Sequence, residues 1–416
     1  MSEVLQVIAD DLTGACDIGA ELLALGGRVV VRDVERREDV ERRERDPAVS
    51  VSVCNTASRG CDLPVAVARL REALRDLGPG WRGILVKKID TALRGHVGAE
   101  LAAAMAQLGV SESFVLPAIP AVGRTTVGGI QHVGGIPLAD TAFARDPLHP
   151  ITESGVVAAV EQGGWLAGRS LPLETVRQGR WDPAGKAAGP PEAGARAVVC
   201  DAETDADIEA ALRVILRRPR PLVLAGSIGL GGALARLLGG RVGALAPVAG
   251  ETAEAGGVLV AVGSIHPASR EQLVAAQRAI GLEVVSLPDA AAVAAAAAQA
   301  AAALARGASV ALATPDRRLP GPGALSERLA GAVEACLRLA LPAGLVLIGG
   351  ETAQAVLAAL GRPRLQVEAR PVPLVVYGRL LDGRRPGLRV ATKGGSAGDG
   401  EMVIRMIRCF DGKGWR

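Results

Sequence analysis

Aromatic residues make up only 2% of this 416-residue chain, too few to build the stacking platforms on which proteins hold single-stranded nucleic acid. A formal net charge of +3 also excludes the dense cationic surface of a phosphate-backbone binder, so no nucleic-acid partner is expected. Long apolar runs are missing. Nothing nears the roughly 18 uninterrupted apolar residues of a spanning helix, and the opening "MSEVLQVIADDLTGA" has no basic leader ahead of an apolar stretch. A cytoplasmic protein without a membrane partner is therefore expected. The six cysteines, Cys16, Cys54, Cys61, Cys200, Cys336 and Cys409, show no CxxC spacing, which argues against a disulfide framework and a zinc site. His96, His132, His149 and His266 lack metal-ligand spacing and a GxSxG companion, so no metal-binding residue is expected and a hydrolase triad is disfavoured. Lysine is the scarcest charge: Lys87, Lys88, Lys186, Lys393 and Lys413 stand against 47 Lys plus Arg.

What is present suits close packing. Hydrophobic residues supply 49% and charged residues 22%, and no charge block is long enough for a disordered tail. At roughly 100–200 residues per domain the length suggests two or three domains, with cores of Ala, Val, Leu and Ile. The apolar run 4–9 ends in Asp10 and Asp11, and helical spacing follows over 13–25. "SVSVCNTASRG", "GILVKKIDTALRG" and "SFVLPAIPAVGRTT" read as further strands ending in polar loops. Repeated strand-then-helix units predict an α/β fold of two domains, each a mostly parallel sheet flanked by helices. Such sheets bind ligands at the C-terminal ends of their strands, where Asp10, Asp11, Lys88, Asp90 and the segment from Pro117 onward fall. Residues 35–46, nearly balanced in sign, read as a solvated surface segment, and the Gly- and Pro-rich stretch 163–194 as an excursion or hinge. A composition shift over 242–257 marks the expected boundary, giving domains 1–245 and 250–416. Beyond it, the alanine-rich stretch 290–307 reads as a surface or interdomain helix, and strands are expected at "VLVAVGS", "SVALAT", "GLVLIGG" and "LRVATKGG".

Each expected domain carries its own chemistry. The first gathers Asp10, Asp11 and Asp17 in "DDLTGACD", Lys88, Asp90 and Arg94 in "KKIDTALRG", and Arg124 with two hydroxyls in "GRTTVGG". Mixed carboxylates and cations suit a small polyhydroxylated acid, with Arg and Lys taking its carboxylate and Asp accepting from its hydroxyls. For Asp10 or Asp11 helix capping is the plainer role, and the two roles are compatible. The second domain holds three glycine-rich turns after strands, "VGSIHPAS", "IGGETAQA" and "KGGSAGDG". Free N–H groups at such turns and at helix N-termini favour anions, and together the turns suggest a phosphate cradle. None fits GxxxxGK[ST] or the dinucleotide GxGxxG. A lysine kept where the composition drifts to arginine suits a site needing a slim point charge, which singles out Lys88 and Lys393.

These motifs resemble the four-carbon acid sugar kinase family over nearly the whole chain. The resemblance rests on "IADDLTGACD", "KKIDTALRG", "LPAIPAVGRTTVGGIQHVGGIPLADTAFARDPLHPITES", "LAGSIG", "VGSIHPAS", "IGGETA" and "KGGSAG". It implies a kinase that phosphorylates threonate, erythronate or a 3-oxo-tetronate with ATP and Mg²⁺, in a cleft between a sugar-acid domain and a nucleotide domain. It implies nucleotide contacts at Ser264, Gly349, Gly350, Glu351, Thr352, Lys393, Gly395 and Gly398. Substrate contacts are implied at Asp10, Lys88, Arg94 and Arg124, with Asp11 or Asp90 orienting or deprotonating the acceptor hydroxyl. Two segments depart from the family: Lys-x-Asp-Ser-Thr-Leu-Arg-Gly has Ala92 for its second hydroxyl, and Lys-Ser-Gly-Asn-Phe-Gly becomes Lys393 to Gly398 without that Ser and Phe. The alternatives are a non-catalytic sugar-acid and nucleotide sensor on this scaffold, or a nicotinamide-dependent sugar-acid oxidoreductase. A homodimer is a candidate assembly.

Overall fold

A computed structural model describes residues 5–34, 49–78, 80–145, 150–179, 181, 194–239, 256–315 and 324–410. The surface segment 35–46, much of the excursion 163–194 and most of the expected boundary 242–257 lie outside the described residues. The chain divides into two compact units, Met1–Val29 with Asp33–Val242, and Val30–Arg32 with Gly243–Arg416.

Strand β2 (Arg28–Asp33) is split by that division, and the other strands of the first unit are β1 (Leu5–Ala9), β3 (Val49–Asn55), β4 (Ile84–Lys88), β5 (Glu112–Leu116), β6 (Arg124–Val127), β7 (Ile130–Val133), β8 (Ile136–Pro137), β9 (Ala167–Leu171), β10 (Arg196–Cys200) and β11 (Leu222–Gly226). Its main sheet runs β3-β1-β4-β11-β5-β10-β9, and every neighbouring pair is parallel. Both faces are covered, which is why β4 and β11 are buried from end to end and read as unbroken apolar runs. The lysines at the end of β4 are the exception. The chain leaves β1 toward β3 on one side and then crosses to β4 on the other, so β1 and β4 flank the switch point where open α/β sheets form their binding crevice. Strands β6, β7 and β8 form a small antiparallel sheet that the strand-and-helix alternation does not foretell. Gly128 and Gly129 at its turn donate to the Asp201 carboxylate at 2.6 and 2.9 Å.

In the second unit the strands are β12 (Val258–Val262), β13 (Glu283–Ser286), β14 (Val310–Ala313), β15 (Gly344–Ile348), β16 (Leu365–Val372), β17 (Val375–Leu380) and β18 (Arg389–Lys393). Their order is β13-β14-β12-β15-β18-β17-β16. Pairing is parallel from β13 to β18, while β17 runs antiparallel to β18 and β16. Here the switch lies between β12 and β15, so the turns after those strands meet at the crevice. The alanine-rich stretch forms the helix Val293–Ala305, which buries Ala296, Ala297, Ala300, Ala301, Ala303 and Leu304.

Candidate functional site

Asp10 and Asp11 follow β1 at the switch point of the first unit. Asp11 caps the helix Leu12–Leu22, its Oδ1 accepting from the Gly14 N–H at 3.0 Å. The same oxygen accepts from Arg59 Nη2 at 2.7 Å. Arg59 also grips Asp10 with two parallel bonds, Nε to Oδ2 at 3.0 Å and Nη2 to Oδ1 at 2.8 Å. Both oxygens of Asp10 are thereby committed, whereas no hydrogen bond from the described residues reaches Asp11 Oδ2, and the Asp11 side chain is 20% exposed. Burial opposes ionisation of Asp10, yet Arg59 and then Lys87 outweigh it and hold the carboxyl below its usual range. Arg59 is burdened by burial too, and Asp10 and Asp11 raise its pKa well above the ordinary value.

The neighbouring strand end supplies the second half of the cluster. Lys88 is buried and donates to the Ile89 carbonyl at 2.8 Å. A methyl group on Gly14 would lie 3.1 Å from its Nζ and 2.5 Å from Asp11 Oδ1, so only glycine lets the helix start this close to both charges. Burial lowers the Lys88 pKa and Arg59 adds to the effect, against the opposing pull of Asp11. Asp90 is paired with Arg94 Nε. Burial works against its charge, but Arg94 and Arg59 prevail and keep it far below the usual carboxylate range. The turn that brings Arg94 back to Asp90 places Leu93 at φ 58° and Gly95 at φ 89°, and a leucine in left-handed backbone is held there by the surrounding structure. Arg124, at the start of β6, donates to the Thr91 hydroxyl. No carboxylate among the described residues lies within ion-pair distance of it. Burial lowers its pKa, Asp90 raises it and Arg94 lowers it further.

Sequence reasoning missed several supports of this cluster. Arg59 carried the same strand-end signal as Asp10, in the loop "NTASRG". Lys87 and Glu100 form a buried ion pair at 3.0 Å behind the cluster, and Ser58 Oγ donates to Glu100 at 2.6 Å. Two charges inside the apolar runs "ILVKK" and "GAELAAAMA" were the available sign. Ala92, the family's missing hydroxyl, is fully buried in the apolar core with Leu93 and Val97. The departure therefore falls in packing, and Thr91 retains the hydroxyl that meets Arg124.

The second unit brings its three glycine turns together. A methyl on Gly395 would collide with Ser264 Oγ, and one on Gly263 with Thr352 Oγ1. Gly349, at φ 104°, would place its methyl 3.4 Å from both Ser264 Cβ and Thr352 Oγ1. Gly349 and Gly350 open the helix Gly350–Ala359, with Glu351 exposed in its first turn. His266 caps the helix Pro267–Ile280, its Nδ1 accepting from the Ala268 N–H at 3.2 Å. Lys393 does not extend from its loop. Its Nζ donates to the carbonyls of Gly394 at 2.9 Å, Ala397 at 3.1 Å and Gly395 at 3.5 Å, and burial pushes its pKa down to about 8. Ser269 and Gln272 hold the same loop from outside, Ser269 Oγ on the Gly395 carbonyl at 2.6 Å and Gln272 Nε2 on those of Ala397 and Gly398, both at 3.1 Å. The Lys393 and Gly394 carbonyls accept from the Gly349 and Ala397 N–H groups at 3.0 and 3.1 Å, and clustered turn N–H groups of this kind can receive an anion. Among the described residues no group of three or more His, Cys, Asp or Glu is placed to hold a metal ion, and no helix is long and apolar enough to cross a membrane.

Comparison with known proteins follows the same division. Residues 5–234 match a family model described as a sugar-binding N-terminal domain, and residues 259–403 one described as a nucleotide-binding C-terminal domain. The chain is 34% identical to a D-threonate kinase of Cupriavidus necator over 94% of each chain. It is 30% identical to a D-erythronate kinase of Heliobacterium modesticaldum, covering 98% of this chain and 97% of the other. It is 29% identical to a 3-oxo-tetronate kinase of Cupriavidus necator over 98% of each. A solved structure from Salmonella typhimurium LT2 shares the fold with a TM-score of 0.75 at 22% identity, over 98% of this chain and 99% of that one.

Proposed function

The chain belongs to the four-carbon acid sugar kinase family, and from that premise we propose that it transfers the γ-phosphoryl group of ATP to the terminal hydroxyl of threonate, erythronate or a 3-oxo-tetronate. The observation that carries the reading is a mismatch of partners. Asp11 keeps one carboxylate oxygen open, and Arg124 among the described residues contacts a hydroxyl and a ring but no carboxylate. A hydroxy acid satisfies both, its carboxylate on Arg124 and its hydroxyl on Asp11.

In this mechanism the acceptor oxygen attacks the γ-phosphorus, the bond from that phosphorus to the β,γ-bridging oxygen breaks, and the hydroxyl proton passes to Asp11 as ADP leaves. Asp90 is the weaker base because Arg94 and Arg59 favour its charged form, and it serves to fix Arg94. Asp10 anchors Arg59, and Lys88 supplies positive charge at the end of β4. Ser264, Gly350 to Thr352, Gly395 and Gly398 take the nucleotide through backbone N–H groups and hydroxyls, while the Gly349 N–H, donated to the Lys393 carbonyl at 3.0 Å, ties two of the turns together. Lys393 contributes by shaping the last turn. Mg²⁺ neutralises phosphate charge when bound. It would enter with the nucleotide, since magnesium at transferred phosphates takes few protein ligands.

The test is a coupled ADP-release screen with D- and L-threonate, D- and L-erythronate and their 3-oxo forms. Turnover of at least one is expected. Binding of a tetronate and ATP without ADP release would instead identify a sensor, and turnover of longer acids alone would overturn the substrate class.

A further inference from the structure

Only three phenylalanines occur in the chain, and one of them meets two cations. The Phe143 ring lies 5.4 Å from the Arg124 guanidinium carbon and 6.0 Å from that of Arg94. Phe143 is partly buried and packs on the apolar core that contains Ala92 and Leu93. The two guanidiniums repel each other, and burial makes that repulsion harder for water to screen. Asp90 compensates Arg94 by pairing with it. Asp90 and Asp17 pull on Arg124 from beyond ion-pair distance, and its contacts among the described residues are the Thr91 hydroxyl and the negative face of the ring. Without the ring, Arg124 gains by swinging toward solvent, and the second cation is lost from the cluster.

On the kinase reading above, we propose that Phe143 is a positioning residue that sets acid specificity, holding Arg124 beside Arg94 so that the pair receives the carboxylate of the sugar acid. It touches neither reacting atom. Phe143→Leu keeps the apolar bulk and removes the ring, whereas Phe143→Tyr keeps the ring face. The measurement compares the KM of the four-carbon acid that wild-type protein turns over fastest with the inhibition constant of its neutral carboxamide. Expected for Phe143→Leu is a rise of about three- to tenfold in the acid KM, with the amide constant, the ATP KM and kcat within about twofold of wild type. Phe143→Tyr restores the acid preference. Loss of acid and amide binding by the same factor would mean a merely structural role and would overturn the proposal, as would an unchanged preference. Should Phe143→Leu fail to fold, Phe143→Met is read by the same ratio. Wild-type protein that turns over no four-carbon acid would defeat the kinase reading itself, an outcome distinct from any of these.

Discussion

On the proposed function the two units each hold an anion, and they do so with opposite materials. The first uses side-chain charge: Asp10, Asp11, Arg59, Lys88, Asp90, Arg94 and Arg124 gather near the ends of β1 and β4, and burial with the neighbouring charges moves Asp10, Arg59, Lys88, Asp90 and Arg124 from their ordinary protonation. The second uses backbone, with three turns packed so closely that a methyl group on Gly263 or Gly395 does not fit. Its one central cation, Lys393, is turned inward onto carbonyls. Side-chain charge can read the pattern of hydroxyls and carboxylate on a small acid, whereas backbone N–H groups read phosphate without regard to what carries it.

The contrast is broken or sharpened by five changes. Asp11→Asn should cut kcat by about 10²–10⁴ while leaving nucleotide affinity intact, because an amide accepts no proton; steady-state rates with an ATP-binding titration decide it. If the Asn variant retained most of its rate, Asp11 would be no more than a helix cap. Arg124→Ala should raise the acid KM about ten- to a hundredfold at constant ATP KM, from loss of a charge-assisted contact. Gly395→Ala should do the reverse, raising the ATP KM about tenfold through the Ser264 collision and sparing the acid. A crossed pattern between these two variants would overturn the division of labour.

Lys393→Met should show its effect in stability against pH. Lys393 titrates near 8 in the folded chain against an ordinary 10.5, so between those values the unfolded chain binds more protons. Stability at this site is therefore lowest below pH 8, where the ammonium is buried charged, and rises with pH across the window by about 1–3 kcal/mol. Denaturation midpoints of wild type minus variant should carry that slope, and a flat difference would count against it. Smallest is Ala92→Ser, which should cost about 1–3 kcal/mol in stability by burying a hydroxyl in an apolar core yet leave the acid KM within about twofold.

Legibility differed between the units for a physical reason. Alternating apolar runs and turn residues announced β1, β4, β12 and β15, since burial on both faces leaves a plain pattern, and the glycine turns were visible as Gly after a strand. The antiparallel β16 and β17 were not, because Pro371 in the one and Gly378 in the other interrupt the run, nor was the small sheet of β6, β7 and β8, whose strands are too short for a period to show. Within the candidate site, residues at strand ends were readable one by one, but not their partners. That Asp10 is bound on both oxygens and Asp11 on one depends on where Arg59 falls 48 residues later, and no local pattern records it. Lys393 drew notice as a rare lysine beside glycines, and its spacing gave no hint that the ammonium points inward.

That inward turn is shared. Lys87, Lys88 and Lys393, the lysines among the described residues, are all buried, and each donates to a backbone carbonyl. An amine-acylating reagent offered to the folded chain thus finds these three targets shielded, and their modification requires local opening. Peptide mass after timed exposure would report the two units separately, Lys87 and Lys88 for the first and Lys393 for the second. The scarcity of one residue type thereby provides a chemical clock for each half of the molecule.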